Sequence, residues 1–363
     1  MKVLVVSGSS GGHIFPTLGF LDTLKDREED LDALLVLPKK SVINHSQIPT
    51  CQINYISISP IKLSLDLRNF VAIFNFFKGS LESLLIILKF KPDLVVGFGS
   101  IVSIPIIFFA WSFGIKTLLH EQNVIPGRAT KLLVKFADKL AVSFAKTQDY
   151  FRGCQKKIVF TGNPIRKELI RIEKKEALAF FGFHNDKMTL LVTGGSLGSH
   201  KINTEFFKAI STMNEKRNIQ VIHLAGQKDY ESLRLNYKGV HVEVKLFSFL
   251  RSMQYAYSAS DLVICRAGAT TITEIQSFGL PAIIVPYPYA YKHQLNNALV
   301  LKKMGTAIII EDHELDAGML RQVISELINH PEKISAMRSR YHNILKPSAN
   351  DLLVDAALFL YNN

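Results

Sequence analysis

Cysteine is scarce in this chain. Only Cys51, Cys154 and Cys265 stand among its 363 residues. They are far apart and without paired spacing, which excludes a disulfide framework and a cysteine-held zinc cluster and suits a reducing cytoplasm. Acidic residues are outnumbered, 31 against 43 lysines and arginines, leaving a formal net charge of +12. No polybasic tail and no interleaving of aromatic and basic residues accompanies that surplus. Nucleic acid is therefore the least fitting partner for it, behind an anionic lipid surface and a nucleotide or phosphorylated substrate. Charged residues make up 20% and apolar residues 48%, too apolar a balance for a disordered chain. At the amino end, Met1-Lys2 and a few apolar residues lead straight into Ser7-Gly8-Ser9-Ser10-Gly11-Gly12, without the long apolar region and small-residue cleavage site of a signal peptide.

One stretch lacks charge altogether. From Leu94 to Ile115 no ionisable residue occurs, a length sufficient to span a bilayer. Gly97, Gly99, Pro105, Gly114 and several serines divide it, and the expectation is a buried strand, a glycine turn and a buried helix.

What the chain does have is a repeated strand, turn and helix. Val3–Val6, Leu34–Leu37, Leu94–Val96 and Thr117–Leu119 are short apolar runs, and a second series follows at Thr189–Thr193, Gln220–Leu224, Leu262–Cys265 and Ala282–Val285. Uninterrupted apolar strands alternating with helices predict parallel sheets covered on both faces, here in two doubly wound α/β domains. At roughly 100–200 residues per domain the length suits two. The boundary is placed at Asn163-Pro164, because the residue before proline is pushed to an extended conformation. That gives domains 1–163 and 164–344, with a charged connection or exposed helix over Lys167–Glu176. A final helix at about 345–363 has apolar residues at helical spacing and could pack on either domain.

Polar motifs follow the strands. Gly8-Ser9-Ser10-Gly11-Gly12-His13 lacks the G-x-G-x-x-G spacing of a dinucleotide fingerprint, and no acidic residue ends the second strand. Its glycines admit a ligand close to the backbone, and the helix behind it offers amides to an anion. His13 reads either as a general base or as a helix-capping histidine. Gly97-Phe98-Gly99-Ser100 could hold a pyrophosphate on its amides or be a tight turn between buried elements. His120-Glu121-Gln122-Asn123 sits where open α/β sheets bind ligands, without metal-ligand spacing. Gly194-Gly195-Ser196-Leu197-Gly198-Ser199 opens the second domain and suits a nucleotide phosphate. Arg266-Ala267-Gly268-Ala269-Thr270-Thr271-Ile272-Thr273-Glu274 places a carboxylate one turn inside a helix, within reach of a ribose diol or merely complementing the helix dipole. Gln294 and Asn297 share a helix face farther on. Asp30-Leu31-Asp32 lies in a charged run and reads as solvated loop.

The ordered set of Gly11-Gly12-His13 with Pro16, Gly97-Phe98-Gly99, His120–Asn123, Thr161-Gly162-Asn163-Pro164 with Arg166, Gly194-Gly195-Ser196-x-Gly198, Arg266-x-Gly268-Ala269 with Glu274, and His293-Gln294 resembles the MurG family of glycosyltransferase family 28. The resemblance runs from residue 7 to about 305. It implies a GT-B fold of two Rossmann-like domains facing a cleft. It also implies inverting transfer of N-acetylglucosamine from its UDP derivative to the C4 hydroxyl of undecaprenyl-pyrophosphoryl-N-acetylmuramoyl-pentapeptide, lipid I becoming lipid II in peptidoglycan synthesis. By position, His13 becomes the candidate base. Ser196 and the amides of Ala269, Thr270, Thr271, Ile272 and Thr273 would hold the diphosphate, Glu274 the ribose, and Leu250 the uracil through its backbone. Gln294, Arg166, Asn123 and the Ser10–Gly12 loop would complete the donor site, and Gly97, Gly99 and Ser100 would face the acceptor's pyrophosphate. No metal site and no required cofactor is implied, a divalent cation at most stimulating the reaction. Departures from the family pattern are Ser9 and Ser100 for glycine, Ile101 for tyrosine, Ile104 for glycine, Leu197 for glutamine, and Arg251-Ser252 for an acidic pair.

Residues 62–91 set Phe70, Phe74, Phe76, Phe77 and a run of leucines and isoleucines among Lys62, Arg68, Lys78, Lys89 and Lys91, against Asp66 and Glu82. That pattern suits an anionic leaflet, or else the core of a helix pair. The resemblance adds the cytoplasmic face of the plasma membrane as location, and proteins of cell-wall synthesis and division as partners. Two other readings remain: another GT-B enzyme, such as a diacylglycerol glycosyltransferase or UDP-sugar epimerase, and a nucleotide-binding scaffold without activity.

Overall fold

A computed structural model describes residues 1–39, 51–58, 68–289, 293–341 and 348–363. The chain divides into two compact units, Met1–Lys167 with Pro347–Asn363, and Glu168–Lys346.

The first unit runs β1 (Lys2–Val6), α1 (Gly11–Arg27), β2 (Asp32–Pro38), β3 (Gln52–Ile56), α2 (Arg68–Phe90), β4 (Leu94–Gly97), α3 (Ser103–Ser112), β5 (Lys116–Glu121), α4 (Arg128–Leu133), β6 (Lys139–Val142) and β7 (Ile158–Phe160). All its strands are parallel, in the order β3-β2-β1-β4-β5-β6-β7. Successive side chains of a strand point to opposite faces, so Val3, Val5, Leu35, Leu37, Leu94 and Val96 pack on one side and Leu4, Val6, Leu34, Val36 and Val95 on the other. Both sets are buried, which is why the runs carry no polar alternation. The first set meets Phe20, Leu21 and Leu24 of α1 and Leu353, Val354, Ala357 and Leu360 of the C-terminal helix.

The second unit runs α5 (Lys174–Phe181), β8 (Met188–Thr193), α6 (His200–Thr212), β9 (Ile219–Leu224), α7 (Tyr230–Asn236), β10 (Glu243–Phe247), α8 (Met253–Ala259), β11 (Leu262–Cys265), α9 (Ala269–Phe278), β12 (Ala282–Ile284), α10 (His293–Met304), β13 (Ala307–Ile309), α11 (Ala317–Asn329) and α12 (Pro331–Ser339), and α13 (Ala349–Tyr361) returns to the first unit. Its sheet is again parallel, ordered β10-β9-β8-β11-β12-β13. Asn350 fastens α13: its Nδ2 donates to Gly19 O at 2.9 Å and Ile165 O at 2.9 Å, and its Oδ1 accepts from Ile165 N at 3.0 Å.

The uncharged stretch forms β4, a turn and α3, with one correction. α3 is not wholly buried, since Phe108 is 41% and Trp111 50% exposed. In each sheet the sequence motifs lie at the carboxyl ends of strands, the side on which open α/β sheets bind ligands.

Candidate active site

In the first unit α1 begins at Gly11, so Gly11, Gly12 and His13 occupy its first turn and not the loop before it. Ser10 is the N-cap residue, yet its hydroxyl makes no capping bond. It lies 2.8 Å from His13 Nδ1 instead. Glycines wall the imidazole. A Cβ on Gly8 would stand 3.1 Å from His13 Nδ1 and 2.9 Å from Ser100 Cβ, and one on Gly99 would stand 3.7 Å from His13 Nε2. The structure therefore brings His13 against the Gly97–Ser100 turn. Gly99 (φ +75°) and Ser100 (φ +69°) are both left-handed there, which favours glycine and makes Ser100 the strained member of the pair. Burial lowers the His13 pKa below 6.5, opposed by the Glu121 carboxylate.

Strand β5 extends through Glu121, so His120 and Glu121 stand within the strand rather than after it. His120 is buried against the Phe98 ring, with centroids 5.2 Å apart. Its Nε2 donates to Gly162 O at 3.0 Å, and its Nδ1 accepts from Gln122 Nε2 at 3.2 Å. Glu121 folds the following loop: Oε1 accepts from Asn123 N at 3.0 Å and Oε2 from Gly127 N at 3.0 Å. Of the four, Asn123 is the half-buried one. Arg166 places its guanidinium 4.2 Å above the Phe15 ring of α1.

In the second unit the turn after β8 is a glycine construction. Gly195 (φ +85°) and Gly198 (φ +74°) are left-handed, and a Cβ on Gly198 would meet Ala225 O at 2.2 Å. Ser196 and Leu197 are exposed at its tip. After β11, Gly268 caps α9, and Ala269, Thr270 and Thr271 open that helix, where amides have no acceptor within the helix. Ile272 and Thr273, the last two residues expected to offer amides to a diphosphate, lie deeper in the helix. Ile272 N is spent on Gly268 O at 2.9 Å and its side chain is fully buried, while Thr273 lies past the first turn with its hydroxyl on Ala269 O at 3.0 Å. Leu250, between β10 and α8, is buried beside the exposed Phe249.

Sequence reasoning missed several partners. Tyr257, buried on α8, donates its hydroxyl to Glu274 Oε2 at 2.7 Å. Arg266 reaches Ser199 Oγ at 3.1 Å, Val285 O at 3.1 Å and Asp312 Oδ1 at 2.5 Å, and Lys201 binds Asp312 as well. An arginine directly after the apolar run Leu262–Cys265 was the one signal for that hub. Gln294 Oε1 accepts from Ala267 N at 3.0 Å and Tyr287 N at 2.9 Å, so the atom left to present to a ligand is Nε2, a donor only. Gln294→Glu keeps both backbone acceptances and exchanges that donor for a carboxylate oxygen. It is expected to weaken UDP-N-acetylglucosamine binding by about tenfold or more, measured by calorimetry, with an unchanged melting temperature. Equal affinity would remove Gln294 from the site. Among the described residues no group of three or more His, Cys, Asp or Glu side chains could hold a metal ion.

Burial also holds His120 and His223 at about 4 and about 3, against an ordinary 6.5. The unfolded chain takes these protons near pH 6.5 and the folded chain only far below, so stability present above 6.5 drains as pH falls toward 4 and 3. Denaturant titration at pH 7.5 and pH 5 is expected to differ by about 2 kcal/mol per imidazole. A flat profile would contradict the buried neutral state.

Two family models match the chain: the glycosyltransferase family 28 N-terminal domain over residues 3–142, and the family 28 C-terminal domain over residues 189–352. The chain belongs to glycosyltransferase family 28. Its relatives include proteins named UDP-N-acetylglucosamine–N-acetylmuramyl-(pentapeptide) pyrophosphoryl-undecaprenol N-acetylglucosamine transferase. The one from Listeria welshimeri is 36% identical, covering 99% of both chains. The one from Thermoanaerobacter sp. is 36% identical, covering 99% of this chain and 98% of the relative. A crystal structure of Acinetobacter baumannii MurG superposes with a TM-score of 0.76 at 24% identity, covering 99% of each chain. The two parallel-sheet domains are those of a GT-B glycosyltransferase, as the family 28 motifs imply.

Proposed function

We propose that this family 28 enzyme transfers N-acetylglucosamine from UDP-N-acetylglucosamine to the C4 hydroxyl of undecaprenyl-pyrophosphoryl-N-acetylmuramoyl-pentapeptide. The observation that carries the reading is the match, over 99% of both chains, to a relative bearing that name. In the displacement, His13 takes the hydroxyl proton on Nε2 as the oxygen bonds to the anomeric carbon. The bond from that carbon to the diphosphate oxygen breaks, and UDP leaves with the electron pair. Ser10, by accepting Nδ1–H, keeps the Nε2 lone pair available. The α6 turn with Ser196 and the opening amides of α9 meet the diphosphate, an arrangement that can stabilise the leaving charge without a metal ion. Glu274, held by Tyr257, takes the ribose, Leu250 meets the uracil, and Gln294 stands with them in the second unit; Arg166, Asn123 and Gly11–Gly12 are the first unit's own candidates for the donor. Gly97, Gly99 and Ser100 receive the acceptor's pyrophosphate. Radiolabelled UDP-N-acetylglucosamine offered with lipid I and with diacylglycerol tests the reading. Label in lipid I is expected, and label in diacylglycerol alone would overturn it.

The lipid tail of that acceptor makes sense of α2. Phe74, Phe77, Leu81, Leu85 and Leu88 form a stripe at helical spacing, from 46% to 70% exposed. Ala72, Ser83 and Ile87 occupy the opposite, buried face, and Phe108, Trp111 and Phe113 of the neighbouring α3 segment are exposed too. Lys78, Lys89 and Lys91 are exposed around the stripe. Lys62 and Asp66, and the side chains of Arg68 and Phe70, lie outside the described residues. Val71–Phe90 is long and apolar enough to span a bilayer, with a mean hydropathy of 1.7, but its one packed face favours lying on an anionic leaflet. Phe74→Asp with Phe77→Asp is expected to abolish sedimentation with phosphatidylglycerol vesicles while activity on a short-chain acceptor persists. Undiminished sedimentation would rule this face out.

A further inference from the structure

Behind the Gly194–Ser199 turn lies a chain of buried polar groups that the reaction does not call on. Asn203, one turn into α6, is 1% exposed, and His223 on β9 is fully buried. Asn203 Nδ2 donates to Ala225 O at 2.7 Å and to Asp229 Oδ2 at 2.8 Å. Its Oδ1 must then accept, and His223 Nε2 lies 3.1 Å from it. His223 therefore carries its proton on Nε2, and its Nδ1 accepts from the Tyr237 hydroxyl at 2.9 Å. The direction of every bond is fixed by the one before it. Phe206 closes on the imidazole edge to face, with centroids 5.5 Å apart, and Phe207 does the same for the Tyr237 ring at 5.2 Å.

This chain ends on the carbonyl that supports the turn. Gly198 rests on Ala225 so closely that a Cβ would stand 2.2 Å from Ala225 O, and a Cβ on Gly226 would stand 2.5 Å from Leu197 O. Backbone lies on backbone there, without side chains to absorb a shift. Ala225 is tied on its other side, its N–H donating to Phe247 O at 2.9 Å. A buried polar network is costly to assemble where leucines would pack as well, and what it adds is a single geometry.

We propose that Asn203, His223, Tyr237 and Asp229 are positioning residues for a nucleoside diphosphate: by clamping Ala225 and the first turn of α6 together they hold the Gly194–Ser199 turn in the shape that receives the two phosphates. The proposal rests on the reading of that turn as the donor's diphosphate site. Its signature is selectivity. Loosening the clamp weakens a ligand that has the phosphates and leaves the nucleoside part untouched.

The test compares UDP with uridine by calorimetry on the full chain, in Asn203→Asp, Tyr237→Phe and Ser196→Ala, with melting temperatures alongside. Asn203→Asp keeps the shape and the bond from His223 but turns a carboxylate oxygen toward Ala225 O and Asp229. It is expected to raise the UDP dissociation constant by about tenfold or more, uridine staying within about twofold. Tyr237→Phe removes one hydroxyl and is expected to show the same selectivity at smaller size, about threefold, and it decides the matter if Asn203→Asp does not fold. Equal weakening of UDP and uridine, or no weakening, would overturn the clamp provided Ser196→Ala still weakens UDP. If Ser196→Ala also leaves UDP unchanged, the diphosphate reading of the turn is what fails.

Discussion

His13→Ala is expected to lower kcat by about 10²–10⁴-fold, the range a positioned general base contributes, with the KM for UDP-N-acetylglucosamine nearly constant. The split follows from where the residue sits. His13 stands in the first turn of α1, walled by Gly8 and Gly99 beside the Gly97–Ser100 turn assigned to the acceptor, whereas the residues assigned to the diphosphate, ribose and uracil belong to the other unit. A pH profile adds a sign. Burial lowers the imidazole pKa below 6.5, so the neutral, proton-accepting form persists as the medium is acidified, and the acid limb of kcat is expected below pH 6.5. Ser10→Ala removes the partner 2.8 Å from Nδ1. The ring then has no group selecting the tautomer with a free Nε2 lone pair, so a smaller loss of about tenfold is expected, again in kcat. Retention of more than about a tenth of wild-type kcat by His13→Ala would remove it as base.

The parts legible in the sequence are those that local pattern controls. Val3–Val6 and Leu34–Leu37 read as strands because both faces of a parallel sheet are buried, and the glycine turns read as turns because few residues other than glycine tolerate φ values such as the +85° of Gly195. Boundaries slipped where partners are distant in sequence. Glu121 reads in the sequence as following the strand and belongs to β5, because it pairs in register with Val142 of β6. The Ser10 hydroxyl, which does not cap α1, turns to His13 Nδ1. Trp111 and Phe108 looked like core because an uncharged run gives no hint which face is covered. Tyr257 and Glu274, and still more Arg266 and Asp312, meet only through the tertiary fold, and no spacing in one sequence announces such a pair.

Arg266→Ala is expected to cost about 3–5 kcal/mol of stability, the penalty for leaving a largely buried charge without its partner. The Arg266 and Asp312 side chains are 10% and 19% exposed and 2.5 Å apart. Truncation leaves Asp312 with Lys201 alone and takes a donor from Val285 O, Pro286 O and Ser199 Oγ at once. Those three groups lie at the start of α6 and in the turn after β12, whose Tyr287 N–H donates to Gln294 Oε1, so their release also loosens the Gly194–Ser199 turn and the seat of Gln294. UDP affinity is expected to fall with stability, unlike in Gln294→Glu, where it falls alone. The ion pair itself is not what the fold needs. Arg266→Met with Asp312→Leu removes both charges together, and it is expected to recover much of the stability, because most of the single-variant loss is a largely buried carboxylate left with only the longer Lys201 contact. UDP affinity should stay low in that double variant, since methionine gives nothing to Ser199 or Val285. Denaturant unfolding and calorimetry on the three variants separate the two contributions. A double variant as unstable as Arg266→Ala would place the loss in the carbonyl and hydroxyl bonds of Arg266, and one that regains full UDP affinity would show that the turns keep their shape without the guanidinium.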